Sequence, residues 1–68
     1  MRVTINGAER ELPEGVTVQE VVAAAGIGHD ERGVAVAVDR SVVPRSAWSA
    51  TAVPAGASVE VLRASAGG

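Results

Sequence analysis

The feature that most limits how this chain folds is a single helix pattern, which lies between segments where apolar and polar residues alternate as they do in strands. Thr17 and Glu20 have the spacing of a capping box, in which each side chain satisfies an exposed backbone N–H at a helix start. The apolar residues that follow have the spacing of a core-facing helix: Val18, Val21, Val22 and Ala25. Gly26 favours a helix end, so we predict a helix over residues 18–26. Because so short and valine-rich a helix does not persist in isolation, it must lie against a sheet.

The segment before the helix has the pattern of a β-hairpin. Apolar and polar residues alternate over residues 1–5, which predicts a strand with one buried face. Asn6-Gly7 favours a type I′ turn, since both central residues of that turn need a positive φ. We therefore predict that residues 9–12 return as the second strand of the hairpin.

Three further strands are predicted after the helix, beyond a polar loop over residues 27–33. Valine and alanine alternate over residues 34–38, which predicts a strand with both faces covered. A turn then leads to a short strand at residues 42–43, which Pro44 ends because proline has no N–H to donate. The remaining predicted elements are a helical turn or loop over residues 45–52 and a last strand over residues 58–62.

This order of elements predicts an α+β fold, in which one main helix packs on one face of a mixed sheet of four or five strands. The chain has 68 residues and no cysteine, so its fold must rest on an apolar core without a disulfide. Six basic and eight acidic residues are scattered along it and give a net charge of −2, which disfavours nucleic-acid binding. Apolar runs are too short for a membrane span and no leader pattern precedes the first strand, so we expect a cytoplasmic protein.

Side chains that ordinarily carry catalysis or bind metals are sparse. His29 is the only histidine and has no cysteine to accompany it, so we interpret it as a solvated loop residue and predict no metal site. Asp30 and Glu31, adjacent acids in the same loop, are also interpreted as solvated. Trp48 is the only aromatic residue, and we predict that it fills the end of a valine and alanine core rather than anchoring an interface.

A hairpin, one capped helix, further strands and a tail that ends in two glycines resemble the β-grasp, ubiquitin-like fold. More narrowly, the whole chain resembles the ThiS family of sulfur carriers in thiamine biosynthesis. The loop at residues 27–33 and residues 63–66 carry no family-specific pattern. The segments that carry the resemblance are Ile5-Asn6-Gly7, Gly15-Val16-Thr17-Val18, Val36-Ala37-Val38-Asp39, and, most specifically, Val43-Pro44-Arg45-Ser46-Ala47-Trp48 and Gly67-Gly68.

The resemblance implies a carrier that partner enzymes act on, with no catalytic residues and no bound cofactor of its own. An E1-like adenylating enzyme of the ThiF type would use ATP to join AMP to the carboxylate of Gly68. Sulfur from a persulfide, supplied by a cysteine desulfurase or a rhodanese-like protein, would displace AMP and leave a thiocarboxylate. A thiazole synthase of the ThiG type would then take that sulfur.

The end of the chain has the small side chains that such a delivery needs. We expect a domain over residues 1–63 and a flexible tail over residues 64–68. Extended, the six residues from position 63 to position 68 would span about 20 Å. Small residues pass through a narrow channel, and glycine adopts conformations that other residues avoid. The residues expected to thread into a partner are Ser65, Ala66 and Gly67, ahead of the reactive Gly68.

The sequence offers candidates for the partner-binding residues and more than one acceptor pathway. Arg63 at the base of the tail and Arg45 after Pro44 are candidate partner-binding residues, and we expect the isolated chain to be a monomer. Three alternatives to a carrier of thiamine biosynthesis are compatible with the sequence. In the first, the chain is a sulfur carrier of the same fold that serves another pathway, as the small subunit of molybdopterin synthase does. A ubiquitin-like modifier would join Gly68 to target lysines, and a small interaction domain would leave the tail incidental.

Overall fold

The structure is a computed structural model that describes residues 1–28 and 30–64. It is an α+β fold in which five strands form one mixed sheet with one main helix, as the sequence predicts. Among the described residues, no helix has both the length and the apolar character to cross a membrane. The elements in chain order are β1 (Arg2–Ile5), β2 (Ala8–Glu11), α1 (Val18–Ala24), β3 (Val34–Val38), β4 (Ser41–Val43), a 3₁₀ helix (Arg45–Ala50) and β5 (Ser58–Arg63).

The last strand occupies the centre of the sheet. The strand order is β2-β1-β5-β3-β4, so β5 lies between the two hairpins. It pairs parallel with β1 and antiparallel with β3. The β1–β2 and β3–β4 hairpins therefore form the two edges, and the chain leaves β5 from the middle of the sheet.

Helix α1 begins at the predicted capping box. The Thr17 N–H donates to Glu20 Oε1 at 2.9 Å, and the Glu20 N–H donates to Thr17 Oγ1 at 3.2 Å. This reciprocal pair satisfies two of the N–H groups that a helix start leaves without partners inside the helix. The predicted start is confirmed.

The helix ends at Ala24, which makes the predicted span of residues 18–26 two residues too long. Gly26 already has a φ of +83°, outside the helical region, and the Ile27 N–H donates to the Val22 carbonyl at 3.3 Å. These are features of a Schellman motif, in which a left-handed glycine ends the helix and an apolar residue folds back onto its last turn. Ile27 is thereby buried, so the loop predicted as polar begins with a core residue.

Both hairpins use two-residue turns with positive φ at both central positions. Asn6 and Gly7 form the first turn, with φ of 49° and 83°. Asp39 and Arg40 form the second without glycine, with φ of 48° and 71°. Asp39 is held there by Ser58, whose N–H donates to Asp39 Oδ1 at 2.9 Å. Strand bounds differ from the predicted ones by a residue: β1 begins one later, β2 begins and ends one earlier, β4 begins one earlier and β5 ends one later.

The core lies between the sheet and its helices and consists mainly of valine. Trp48 is 1% exposed, and its indole N–H donates to the Val43 carbonyl at 2.9 Å, which confirms its predicted place in the core. No described element covers the opposite face of the sheet, so the prediction that both faces of β3 are covered is wrong. Ala35 is exposed there because α1 packs on the other face alone. The buried apolar residues are Val3, Val16, Val18, Val21, Val22, Ile27, Val36, Trp48, Val53, Ala57, Val59 and Val61.

Candidate functional site

The chain leaves the sheet in close contact with the loop that precedes β3. Arg63, the last residue of β5, pairs with Val34, the first residue of β3. The next residue continues this pairing, because the Ala64 N–H donates to the Gly33 carbonyl at 2.7 Å. A Cβ added to Gly33 would lie 2.8 Å from the Ala64 Cβ, and Gly33 has a φ of +74°. Both the close approach and the backbone conformation therefore require glycine at position 33.

An ion pair joins the same loop to the last residue of β5. Arg63 Nε donates to Glu31 Oε2 at 2.7 Å, and Arg63 Nη2 donates to Glu31 Oε1 at 2.8 Å. The two side chains are 54% and 31% exposed, so the pair lies at the surface but is partly shielded on the glutamate side. The hydrogen bonds to Glu31, and then its negative charge, raise the pKa of Arg63 above its ordinary value. Two parallel hydrogen bonds fix the geometry of such a pair as well as its distance.

Arg45 supports the loop from the 3₁₀ helix. Its Nη2 donates to the backbone carbonyl of Glu31, and its guanidinium carbon lies 4.6 Å from the centroid of the Trp48 ring. A guanidinium over an indole face is a favourable cation–π arrangement. The two arginines predicted to bind partners thus meet at one residue, with Arg63 on the side chain of Glu31 and Arg45 on its backbone.

Sequence reasoning missed Glu31, which was interpreted as a solvated loop acid. The signal that identifies it is the pairing of Val34 with Arg63, since this register places the residues just before β3 beside those just after β5. Nothing in the local sequence indicates which strand β3 pairs with, so the contact follows only from the sheet order.

An apolar patch lies on the open face of the sheet, next to the exit of β5. Val42 is 76% exposed and Leu62 is 65% exposed. Ala35 lies opposite Leu62, and Ala37 lies opposite both Val42 and Glu60. We call the four apolar residues among these (Val42, Leu62, Ala35 and Ala37) the open-face patch, which Glu60 borders. Because Leu62 immediately precedes Arg63, the patch adjoins the point where the chain leaves the sheet.

The reactive end of the predicted tail lies outside the described residues. This applies to Ser65, Ala66, Gly67 and Gly68, and also to His29. The division into a domain over residues 1–63 and a tail over residues 64–68 therefore stays a prediction. Within residues 1–28 and 30–64, no group of three histidine, cysteine or acidic side chains is placed to hold a metal ion.

The family model and the solved structures that match this chain point to the same family. A family model described as the ThiS family matches residues 3–68. The structure is similar to the crystal structure of the thiamine biosynthesis protein (ThiS) from Geobacter metallireducens, with a TM-score of 0.80 and 31% sequence identity over 100% of both chains. A solution structure of a thiamine biosynthesis protein from the same organism also gives a TM-score of 0.80, with 33% identity over 100% of this chain and 88% of that one.

A longer relative contains a segment that is similar to the whole chain. A thiazole synthase from Paramagnetospirillum magneticum is 34% identical over 68 residues, which is 100% of this chain. The chain spans only 20% of that relative's length. Most of the thiazole synthase therefore has no counterpart among these 68 residues.

Proposed function

Since the chain belongs to the ThiS family, we propose that it is a sulfur carrier of thiamine biosynthesis that holds its sulfur as a thiocarboxylate on Gly68. The observation that carries this proposal is the family match over residues 3–68, which runs from β1 through Gly67 and Gly68. The fold supports it, because the thiamine biosynthesis protein of Geobacter metallireducens superposes with a TM-score of 0.80. In this function the chain is a protein substrate, and partner enzymes perform the chemistry.

The proposed chemistry begins with activation, because a carboxylate is anionic and has no good leaving group. A carboxylate oxygen of Gly68 attacks the α-phosphorus of ATP in the partner's site, and pyrophosphate leaves. A persulfide sulfur then attacks the Gly68 carbonyl carbon, and AMP departs with its bridging oxygen. A thiol cleaves the resulting S–S bond, which leaves a thiocarboxylate on Gly68 and a disulfide between the donor and that thiol. The 68 residues contain no cysteine, so both sulfur groups come from partners.

Three partners follow from this chemistry. An E1-like adenylating enzyme of the ThiF type binds and uses the ATP, so the carrier itself needs no cofactor. A cysteine desulfurase or rhodanese-like protein supplies the persulfide. A thiazole synthase of the ThiG type accepts the sulfur, a choice supported by the thiazole synthase relative that contains a segment similar to this chain.

We place partner docking on the open-face patch and the adjoining exit of β5. Exposed contiguous apolar surface on a small domain marks an interaction site, and Val42 and Leu62 are the large apolar side chains exposed there. Docking on this face brings the exit of β5 toward the partner. Direct contact of Arg63 and Arg45 with acidic groups of a partner stays a prediction, since both side chains already bond to Glu31.

The test is reconstitution of the purified chain with an adenylating enzyme, ATP, a persulfide donor and a thiol reductant. Mass spectrometry of the C-terminal peptide is expected to show one oxygen replaced by sulfur, only when ATP is present. A chain lacking Gly68 is the matched control and is expected to stay unmodified. Modification of that shortened chain, or modification without ATP, would overturn the proposal.

Complementation separates the proposed pathway from its alternatives. Rescue of a thiamine auxotroph that lacks its own carrier is the expected result. Rescue of a molybdoenzyme defect instead would assign the same tail chemistry to molybdopterin synthesis. Covalent adducts of high mass on a blot, lost when Gly68 is deleted, would indicate a protein modifier.

A further inference from the structure

We propose that Glu31 is a positioning residue, which acts through Arg63 to fix where the chain following Ala64 starts its path toward a partner enzyme. The inference rests on the proposed function, since the starting point matters only if the end of the chain is delivered elsewhere. It assigns to Arg63 an internal role in place of a direct contact with the partner.

Three contacts hold the exit of β5 against the loop before β3. Both carboxylate oxygens of Glu31 accept hydrogen bonds from Arg63, at 2.7 and 2.8 Å. The Gly33 carbonyl accepts from the Ala64 N–H at 2.7 Å. The same two residues approach so closely that a side chain at position 33 would overlap Ala64. We call Glu31, Gly33, Arg63 and Ala64 the exit clamp.

The exit clamp is connected to the core through Arg45. Trp48 is buried, and the guanidinium carbon of Arg45 lies 4.6 Å from the centroid of its ring. Arg45 in turn donates to the backbone carbonyl of Glu31. The glutamate that pairs with Arg63 is therefore connected through Arg45 to the buried Trp48.

A fixed starting point lowers the cost of delivering a chain end into a narrow site. Binding must restrict the end of the chain, and any restriction already present in the free protein removes part of that cost. The role proposed for Glu31 is to position the exit of β5, and it takes no part in the chemistry at Gly68. Its loss is therefore expected to raise KM for the adenylating enzyme and leave kcat unchanged, since chemistry on the bound end proceeds as before.

The test compares Glu31→Gln, Arg63→Gln and the double variant in ATP-dependent release of pyrophosphate by the adenylating enzyme. Each single variant is expected to raise KM about two- to fivefold, the range for a partly exposed ion pair. The double variant is expected to match either single variant, because each change removes the same interaction. Unfolding midpoints of all three, followed by Trp48 fluorescence, are expected to lie close to that of the wild type.

Glu14→Gln is the matched control for the loss of one carboxylate. Glu14 is exposed and lies beyond β2, where the Leu12 N–H donates to the Met1 carbonyl at 2.8 Å. Because β1 and β5 run parallel, this is the end of the sheet away from the exit clamp. Its KM is expected to equal that of the wild type.

Two kinetic results would overturn the inference. An unchanged KM for Glu31→Gln would show that the exit clamp does not assist delivery. The second result is a KM for Arg63→Gln far above that for Glu31→Gln, with a double variant whose KM equals that of Arg63→Gln. It would show that Arg63 contacts the partner directly.

Hydrogen exchange tests the exit clamp independently of the partner enzyme. The Ala64 amide is expected to exchange about two- to fivefold faster in Glu31→Gln than in the wild type. Equal exchange would overturn the exit clamp even if adenylation is normal. Faster exchange in a chain that no adenylating enzyme accepts would support the exit clamp and overturn the proposed function, so the two failures are distinguishable.

Discussion

The side chain of Asn6 exchanges two hydrogen bonds with the backbone of Val61. Asn6 Nδ2 donates to the Val61 carbonyl at 3.1 Å, and the Val61 N–H donates to Asn6 Oδ1 at 2.8 Å. The backbone pairing of β1 with β5 ends with Ile5 opposite Val59. Beyond Ile5, the side-chain amide of Asn6 therefore makes the hydrogen bonds to β5 that a further residue of β1 would make. The backbone of Asn6 forms the hairpin turn.

Two variants of Asn6 separate these roles. Asn6→Gly keeps the positive φ and removes only the side-chain hydrogen bonds, so we expect the free energy of unfolding to fall by about 1 to 3 kcal/mol. Asn6→Ala removes the same bonds and adds a strained left-handed backbone, for a further loss of about 1 kcal/mol. Urea unfolding followed by Trp48 fluorescence measures both. Wild-type stability in Asn6→Gly would contradict the role of the side chain.

Gly33→Ala tests the close approach at the exit clamp, with Gly56→Ala as its matched control. Both glycines have a positive φ, of 74° and 79°, but a Cβ at position 56 meets nothing within 4 Å. We expect Gly56→Ala to cost about 1 to 2 kcal/mol from backbone strain alone. Gly33→Ala is expected to cost more and to shift the amide resonance of Ala64. Equal losses in urea unfolding, with an unmoved Ala64 resonance, would contradict the overlap.

Trp48 is expected to be the most costly side chain to truncate. Trp48→Ala removes the largest buried side chain, and such changes cost about 3 to 5 kcal/mol. A chain of this length has about 3 to 10 kcal/mol of stability in total, so the variant is expected to lose a large part of it and to melt well below the wild type. Trp48→Phe keeps much of the volume and is expected to fold with a lower melting temperature. Far-UV circular dichroism measures the melting temperature of both variants, because each has lost the tryptophan that reports unfolding by fluorescence. A wild-type melting temperature for Trp48→Ala would contradict the place of Trp48 in the core.

Leu62→Ser and Val42→Ser test docking on the open-face patch. Both side chains are largely exposed, so we expect stability to change by no more than about 0.5 kcal/mol. If the patch is a binding surface, KM for the adenylating enzyme is expected to rise about fivefold or more in Leu62→Ser, the variant nearer the exit. Glu14→Gln again serves as the control. A normal KM in both variants would move docking to another face.

Features that depend on sequence neighbours were predictable from the sequence. The capping box of Thr17 and Glu20 and the Asn6-Gly7 turn are local, and the structure confirms both. The helix end was predicted too late because Gly26 was counted within the helix, although its left-handed conformation belongs to the residue after the cap. Alternation identified β3 but did not show that its alanines face solvent, because small apolar residues fit either environment.

Features that depend on the sheet order were not predictable. The contact between Glu31 and Arg63 joins residues 32 apart in the sequence and exists because β3 pairs with β5. The sequence placed Arg63 at the base of the tail but assigned it no partner. The hydrogen bonds of the Asn6 side chain likewise depend on β5 lying beside β1, since Asn6 and Val61 are 55 residues apart in the sequence.

Tracing sulfur through the chain examines the carrier function itself. The chain is loaded by an adenylating enzyme, ATP and a persulfide donor that contains radioactive sulfur, then purified and mixed with a thiazole synthase and its other substrates. We predict that the label is found first on Gly68 and afterwards in the thiazole product, while the chain returns to the mass of its free carboxylate. A thiazole product without label, or a label that never reaches Gly68, would contradict the proposal that this chain carries the sulfur.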